Sequence, residues 1–374
     1  MKIAIFGGAF NPVHNEHINL VKAAINSLNL DKVIVVPTRV SPHKTGKLSA
    51  SEQHRLTACK LAFENVEKVI VSDYEIKSQG VSYSYKTCEH FKKLYPNDEL
   101  IFIVGADMLE YFPKWKHPER ILKSVTLAAC AREDSLQFKT VKENFKKLFN
   151  APLYDFNYVG KKVSSTEVRT LAALGEDISK FLPKAVENYL TENAVYLQPN
   201  LVKVKNFLSK KRWQHTVRVA LLAVKNASRI NLSELTVLTA AALHDCAKYV
   251  DLDSEILQGF TLPNGVPEPV IHQFSGAYMA ANYFKVDDEN VIAAIKYHTS
   301  ARPDMSDLEK LIFLADMLEE DRNFNGVQQL RNTFSTDLTK CLKEALYHQI
   351  EYLRSTGKPI YELTQLAYNF LIGE

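Results

Sequence analysis

The strongest constraint on this chain is a change of hydrophobic rhythm near residue 196. Before it, short apolar runs at Ile3–Phe6, Lys32–Val36, Val69–Ser72, Leu100–Val104 and Val125–Ala129 alternate with amphipathic stretches. Continuous Val/Ile/Leu runs separated by helical segments suit a parallel sheet buried on both faces, so residues 1–197 are expected to form a doubly wound α/β domain. Beyond them the runs stop, and Trp213–Ile230, Glu234–Tyr249, Val291–His298, Leu308–Glu319 and Leu338–Leu353 carry helical spacing instead. Residues 198–374 are therefore expected to be all-α, with the boundary near Gln198-Pro199-Asn200, where a proline stops the preceding element. The two halves are unlike, which excludes duplication.

Composition narrows the partners. A net charge of +3 on 374 residues, with Lys and Arg matched by Asp and Glu, is too mild for a polyanion-binding surface, so nucleic acid is not called for. Cys59, Cys88, Cys130, Cys246 and Cys341 are odd in number, far apart and without a CxxC pair. They read as free thiols in a reducing compartment rather than as disulfides or structural zinc. The first apolar run meets Gly7-Gly8 at once and is too short for a signal peptide or membrane span. A cytoplasmic chain is the expectation.

The chemistry of the first half begins at Phe6-Gly7-Gly8-Ala9-Phe10-Asn11-Pro12-Val13-His14-Asn15-Glu16-His17, where the first strand gives way to a helix. Glycines allow close backbone approach by a phosphate, and the free N–H groups of the next helix favour an anion. Three-residue spacing at a helix start puts His14 and His17 on one face, able to converge on one triphosphate as hydrogen-bond donors. Transfer of an adenylyl group needs charge stabilisation and in-line positioning more than proton removal. A second cluster, Ser164-Ser165-Thr166-Glu167-Val168-Arg169, has capping-box spacing between Ser164 and Glu167 and so predicts another helix start. There Ser165 and Thr166 would cradle phosphate and Arg169 would supply charge-assisted bonds. Capping alone is the bland reading of that cluster.

These residues resemble the GGxFxPxHxxH and SSTxxR signatures of the nucleotidylyltransferase superfamily, within the bacterial nicotinate-mononucleotide adenylyltransferases, over roughly residues 1–195. Pro37-Thr38, Ser41-Pro42-His43-Lys44, Ser82-Tyr83-Ser84, Gly105-Ala106-Asp107 and Pro113-Lys114-Trp115-Lys116 extend the likeness. The resemblance implies a Rossmann-like fold and transfer from ATP, as its Mg2+ complex, to nicotinate mononucleotide. It implies that Gly7, Gly8, Phe10, His14, His17, Gly105, Asp107, Ser165, Thr166 and Arg169 surround ATP, with Lys44 near the reacting phosphates. It further implies that Ser82, Tyr83, Ser84 and Arg132 contact substrate and that Trp115 stacks on the pyridine ring, where core packing is the bland alternative. The chain departs from the pattern at Glu16, where glycine is usual, and at Ser84, where threonine is usual. A carboxylate beside a triphosphate is repelled unless it turns to solvent or meets the metal.

In the helical half the residues suited to hard or borderline metals are His215, His244-Asp245, His272, His298 and Asp316. The apolar surroundings of His244-Asp245 suggest burial, and a buried carboxylate is costly unless paired or metal-bound. Imidazole and carboxylate donors suit iron, manganese or another divalent first-row ion. A two-metal centre with Asp245 bridging would serve phosphate hydrolysis. Arg218, three residues after His215, and Lys248, one turn beyond His244, are expected on the same helical faces, as phosphate contacts or as solvated cations.

The order H, HD, H, H, D resembles the HD-domain phosphohydrolases. Leu243-His244-Asp245-Cys246-Ala247-Lys248, Lys296-Tyr297-His298-Thr299 and Leu314-Ala315-Asp316 are similar to the bacterial symmetrical diadenosine tetraphosphate (Ap4A) hydrolases. That likeness implies cleavage of Ap4A to two ADP. His215, His244, Asp245 and Asp316 would hold one metal, while His272 and His298 complete a second site or bind phosphate. A competing reading makes this half a sensor that binds nucleotide without hydrolysing it. A tRNA-maturing nucleotidyltransferase is disfavoured, because its paired carboxylates after a Gly-Ser turn are replaced here by Gly-Gly and two histidines. No membrane partner is expected, and an oligomer is permitted.

Overall fold

The computed structural model describes residues 1–39, 48–78, 80–130, 135–156, 158–161 and 163–373. The chain divides into two compact units: the first holds most of the residues up to Tyr196, and the second holds Thr170–Glu176 and the chain from Leu197 on.

The first unit is built on six strands: β1 (Lys2–Gly8), β2 (Lys32–Pro37), β3 (Val69–Val71), β4 (Glu99–Gly105), β5 (Thr126–Cys130) and β6 (Leu153–Asp155). They pair parallel in the order β3-β2-β1-β4-β5-β6. Helices between the strands cover the sheet, which is the doubly wound α/β architecture. The interiors of β1, β2, β4 and β5 are buried because helices lie over both faces, and this burial is why their sequences read as unbroken apolar runs. The sequence reading missed β6. It is a three-residue edge strand, Leu-Tyr-Asp, too short and too polar to stand out. Strand order reverses between β1 and β4, so the switch-point crevice opens where Gly7-Gly8 and Gly105 end their strands.

The second unit is helical. Hydroxyl and carboxylate caps start its helices. Ser209 accepts from Arg212 N before Lys210–Asn226, Ser233 accepts from Thr236 N before Glu234–Leu243, and Ser306 and Glu309 form a capping box before Asp307–Leu318. Glu234–Leu243 is shorter than its apolar stretch, because the chain tightens after Leu243 into turns closed by Cys246 N to Leu243 O and Lys248 N to Asp245 O. The helices Val327–Phe334 and Glu362–Ile372 were not foreseen. Among the described residues no helix is long and apolar enough to cross a membrane. All five cysteines are free and buried.

Candidate active sites

In the first unit the chain leaves β1 through a turn that brings both glycines against aromatic rings. A Cβ at Gly8 would lie 3.0 Å from the Phe10 ring, and one at Gly7 would lie 3.3 Å from Phe102. Phe10, at φ 43°, is buried against Phe6 and against the edge of His17. The helix Asn15–Leu28 then starts with His14 at its N-cap, and His14 N donates to His17 Nδ1 at 3.1 Å. The two imidazoles stack with centroids 3.7 Å apart. They therefore share one face at the helix N-terminus on the switch point.

The second cluster packs onto the same turn. Ser164 Oγ accepts from Glu167 N, as its spacing suggests, and the helix Ser165–Ala173 follows. Ser165 Oγ donates to Pro12 O, while Arg169 donates from Nη1 to Asn11 O at 2.5 Å and from Nη2 to Thr166 Oγ1 at 3.0 Å. Arg169 is only 2% exposed. In this structure its guanidinium ties helix to turn instead of reaching outward as a phosphate ligand. Gly105 caps the short helix Ala106–Tyr111, with Asp107 exposed in its first turn.

Glu16 commits its carboxylate to a clamp. Its Oε2 accepts from Tyr158 Oη at 2.7 Å and Lys161 N at 2.8 Å, and its Oε1 accepts from Asn19 Nδ2 at 3.1 Å. Partial burial opposes its charge, but these three donors outweigh it and hold the pKa below the usual carboxylate value.

Ser82 Oγ accepts from Arg39 N, the half-buried Tyr83 lies under Lys116 Nζ at 4.4 Å, and Ser84 opens the helix Ser84–Leu94. Trp115 is half-buried, edge-on to Phe102 and tilted against Phe112, so part of its ring serves the core. Lys44 and Arg132 lie outside the described residues. Sequence reading missed Glu75 and Arg55, both buried. Thr87 Oγ1 donates to Glu75, and Arg55 donates to Ala9 O and Arg39 O, bracing the strand ends. No periodicity singles them out.

In the second unit five helices and turns bring the expected ligands together. His215 lies within Lys210–Asn226, and His244 caps the C-terminus of Glu234–Leu243. His272 begins Ile271–Asn282, His298 follows the end of Glu289–Lys296, and Asp316 closes Asp307–Leu318. Helix C-termini leave carbonyls unpaired and carry negative dipole ends, and both are used here. His244 Nδ1 donates to Ala241 O and His298 Nδ1 to Ile295 O, each at 2.7 Å. His215 Nδ1 donates to Glu319 Oε1 at 3.0 Å. In all three rings the Nδ1 proton is thereby held outward, and Nε2 faces the centre.

Two overlapping groups result: His215, His244 and Asp316, and His244, Asp245 and His298. The two groups share His244, whose single Nε2 lone pair serves one ion, while Asp245 presents Oδ2 to His244 and Oδ1 to His272 and His298. Among the described residues His215 Nε2, His244 Nε2 and both Asp245 oxygens are buried without a well-directed hydrogen bond. Yet Asp316 Oδ1 is 2.8 Å from His215 Nε2, and Asp245 Oδ2 is 3.0 Å from His244 Nε2. Nitrogen and oxygen lone pairs converging at short range, most of them on atoms without a well-directed hydrogen bond, fit a divalent cation.

His272 stands beside these groups, its Nε2 3.2 Å from His298 Nε2 and 3.3 Å from Asp245 Oδ1. Burial pushes its pKa down to about 4. Lys248 does not continue a helical face. The turns after Leu243 carry its Nζ to 3.2 Å from His272 Nδ1, where burial lowers its pKa. Arg218 is not turned to the ligands either; it pairs with Glu319 Oε2 at 2.7 Å and Asp321 at 3.0 Å. Burial opposes charge on both ligand carboxylates, but His215 outweighs it at Asp316, and His244, His272 and His298 outweigh it at Asp245, so both stay below the carboxylate range. His215 is conversely raised, since Asp316 and Glu319 overcome its burial.

Three contributors escaped the sequence reading. Glu319, 2% exposed, joins His215 to Arg218, and its pKa falls to about 2 because His215, Arg218 and Asp321 N donate to it against the cost of burial. Arg212 pairs with Asp245 Oδ2, and Arg322 pairs with Asp316. The available signal was i,i+3 spacing, since Arg212 precedes His215 by three and Glu319 follows Asp316 by three.

Comparison with known proteins agrees with this two-part architecture. A cytidylyltransferase-like family model matches residues 5–171 and an HD domain model matches residues 212–321. A Mycoplasma genitalium protein named "Probable nicotinate-nucleotide adenylyltransferase/Ap4A hydrolase" is 34% identical over 324 residues, covering 86% of this chain and 88% of that protein. A Mycoplasma pneumoniae protein of the same name is 32% identical over 358 residues, covering 95% and 99%. A Clostridium tetani protein named "Probable nicotinate-nucleotide adenylyltransferase" is 39% identical over 204 residues, 52% of this chain and 98% of that protein. Among solved structures, a "predicted HD superfamily hydrolase involved in NAD metabolism" from Clostridium acetobutylicum is 31% identical, with a TM-score of 0.42, covering 46% of this chain and 95% of that one. Covered over 86% and 95% of its length by the two mycoplasma proteins, the chain belongs to their family, and in it a cytidylyltransferase-like domain is followed by an HD domain.

Proposed function

We propose that the chain is bifunctional. Residues 1–197 transfer an adenylyl group from ATP, as its Mg2+ complex, to nicotinate mononucleotide, giving deamido-NAD and diphosphate. Residues 198–374 hydrolyse Ap4A to two ADP with a divalent transition metal, iron among the candidates, and both reactions run in the cytoplasm. The observation that carries the first half is the stacked His14–His17 pair at a helix N-terminus on the strand-order switch point. Donors held there stabilise charge on the α-phosphate without moving a proton. The names of the mycoplasma and clostridial relatives support the substrate.

The second half rests on the convergence of His215, His244, Asp316, Asp245 and His298. A bound divalent ion there would polarise a phosphoryl oxygen and lower the pKa of water. The chain's own part is to fix the Nε2 atoms inward, keep two carboxylates ionised and set Lys248 beside His272 to meet phosphate. The complete ligand set favours hydrolysis over a sensing role.

The test uses the full chain. His17→Ala should lower dinucleotide synthesis by roughly 10²- to 10³-fold while leaving ADP release from Ap4A intact. Asp316→Asn should do the reverse. Unchanged synthesis in the first variant refutes the transferase mechanism. Ap4A binding without ADP release under iron, manganese or cobalt would install the sensing reading instead.

A further inference from the structure

Both ligand carboxylates are already held by arginines. Arg322 donates from Nη2 to Asp316 Oδ1 at 2.7 Å and from Nε to the Asp316 main-chain carbonyl at 2.9 Å. Asp316 Oδ1 is also the atom that faces His215 Nε2. The oxygen Arg322 occupies is thus the one turned to His215, with which Asp316 and His244 form one of the two candidate ion-binding groups. Arg212 repeats the arrangement on Asp245 Oδ2, which faces His244 Nε2.

An ion on Asp316 Oδ1 would share that oxygen with the Arg322 guanidinium, and the two cations would repel at that range. Ion and guanidinium therefore compete for Asp316, and entry of the ion favours release of Arg322. The displaced guanidinium keeps its main-chain anchor, and its side chain is 37% exposed. Glu319, whose Oε1 lies 3.9 Å from Arg322 Nε, already accepts from His215, Arg218 and Asp321 N, so it offers the freed guanidinium one remaining lone pair and no two-oxygen grip. A planar fork of N–H donors beside a divalent ion then matches one chemistry best, a phosphate anion.

We propose that Arg322 is a displaceable arm: it holds Asp316 until a divalent ion enters, and it then grips a phosphate of the substrate. Metal and phosphate consequently bind cooperatively, each strengthening the other by the same factor. This rests on reading the centre as a metal-dependent phosphohydrolase site.

The experiment titrates Mn2+ into the metal-stripped full chain by calorimetry, with and without inorganic phosphate, subtracting a His244→Ala blank. The wild-type chain should bind Mn2+ roughly five-fold more tightly with phosphate present. Arg322→Met should bind Mn2+ alone more tightly than the wild type, an effect that damage to the fold does not produce, and should lose the phosphate enhancement. Arg322→Gln, whose amide can keep the main-chain contact, should behave likewise if the Met variant folds poorly. Mn2+ affinity in these variants equal to or below the wild type overturns the competition, and a surviving enhancement overturns the phosphate grip. A wild-type chain that binds no divalent metal would instead sink the metal reading, and the arm with it.

Discussion

Glu319→Gln isolates the role of a residue that contacts neither metal nor substrate. Glu319 Oε2 accepts two N–H groups, from Arg218 Nε at 2.7 Å and Asp321 N at 2.8 Å, while Oε1 accepts the Nδ1 proton of His215 at 3.0 Å. Glutamine has one acceptor oxygen, and the site with two donors claims it. The amide NH2 is then aimed at His215 Nδ1, so the ring must carry its proton on Nε2, the atom that faces Asp316. An Nε2–H imidazole cannot ligate, and binding must first reverse the tautomer against a donor–donor contact. Loss of such an outer partner typically costs about 10- to 100-fold in metal affinity, about 1.4 to 2.7 kcal/mol. Calorimetric Mn2+ titration of the full chain reads this directly, with His215→Ala as the floor. Arg218→Met should lose less, because it leaves the His215 contact in place. A Glu319→Gln chain binding Mn2+ within about two-fold of the wild type would refute the reasoning.

Three further outcomes follow from the geometry. Gly160→Ala would put a Cβ 2.8 Å from Glu16 Oε2 and 3.0 Å from the Tyr158 ring, two groups bonded to each other. A stability loss of about 1 to 3 kcal/mol is expected, partly relieved by Glu16→Ala, and additive losses in the double variant would contradict the clamp. His272 titrates at about 4 in the fold against 6.5 in the unfolded chain, so the unfolded state binds more protons between those values and metal-free stability falls as pH drops from 6.5 to 4. The limit is about 3 kcal/mol. It is readable in urea from Trp213, the tryptophan of the second unit, in a Trp115→Phe background, and His272→Gln should flatten the slope. Raised His215 acts oppositely: its stabilisation of the metal-free fold is full below 6.5 and fades as pH rises through its folded pKa. Protons therefore compete with metal, and Mn2+ affinity should fall as pH is lowered through that value; a flat profile from pH 8 to 6 would contradict it.

Much of the site was legible because its chemistry is local. Gly7-Gly8 with His14 and His17, and Ser164 with Glu167, lie within a few residues of one another, so spacing alone sets the face they share. The strands were legible for a related reason: burial on both faces leaves a continuous apolar run, whereas β6, three residues at an edge, leaves none. The ligands His215 through Asp316 could be named one by one from residue type, but only the family likeness, not spacing, grouped them. The meeting of His244 Nε2 with His215, Asp316 and His298 depends on where helices end and which carbonyls take the Nδ1 protons.

What the sequence determined by itself was the kind of each half and the inventory of its reactive groups, since hydrophobic period and residue chemistry are written in the chain. Tertiary structure alone decided the partners. Glu16 is drawn to Tyr158 and Lys161, Arg169 is buried against Asn11, Arg218 goes to Glu319, and Arg212 and Arg322 hold the carboxylates of Asp245 and Asp316. A charged side chain is committed by whichever opposite charge or open carbonyl the fold brings within about 3 Å, and no spacing along the chain encodes that distance across it.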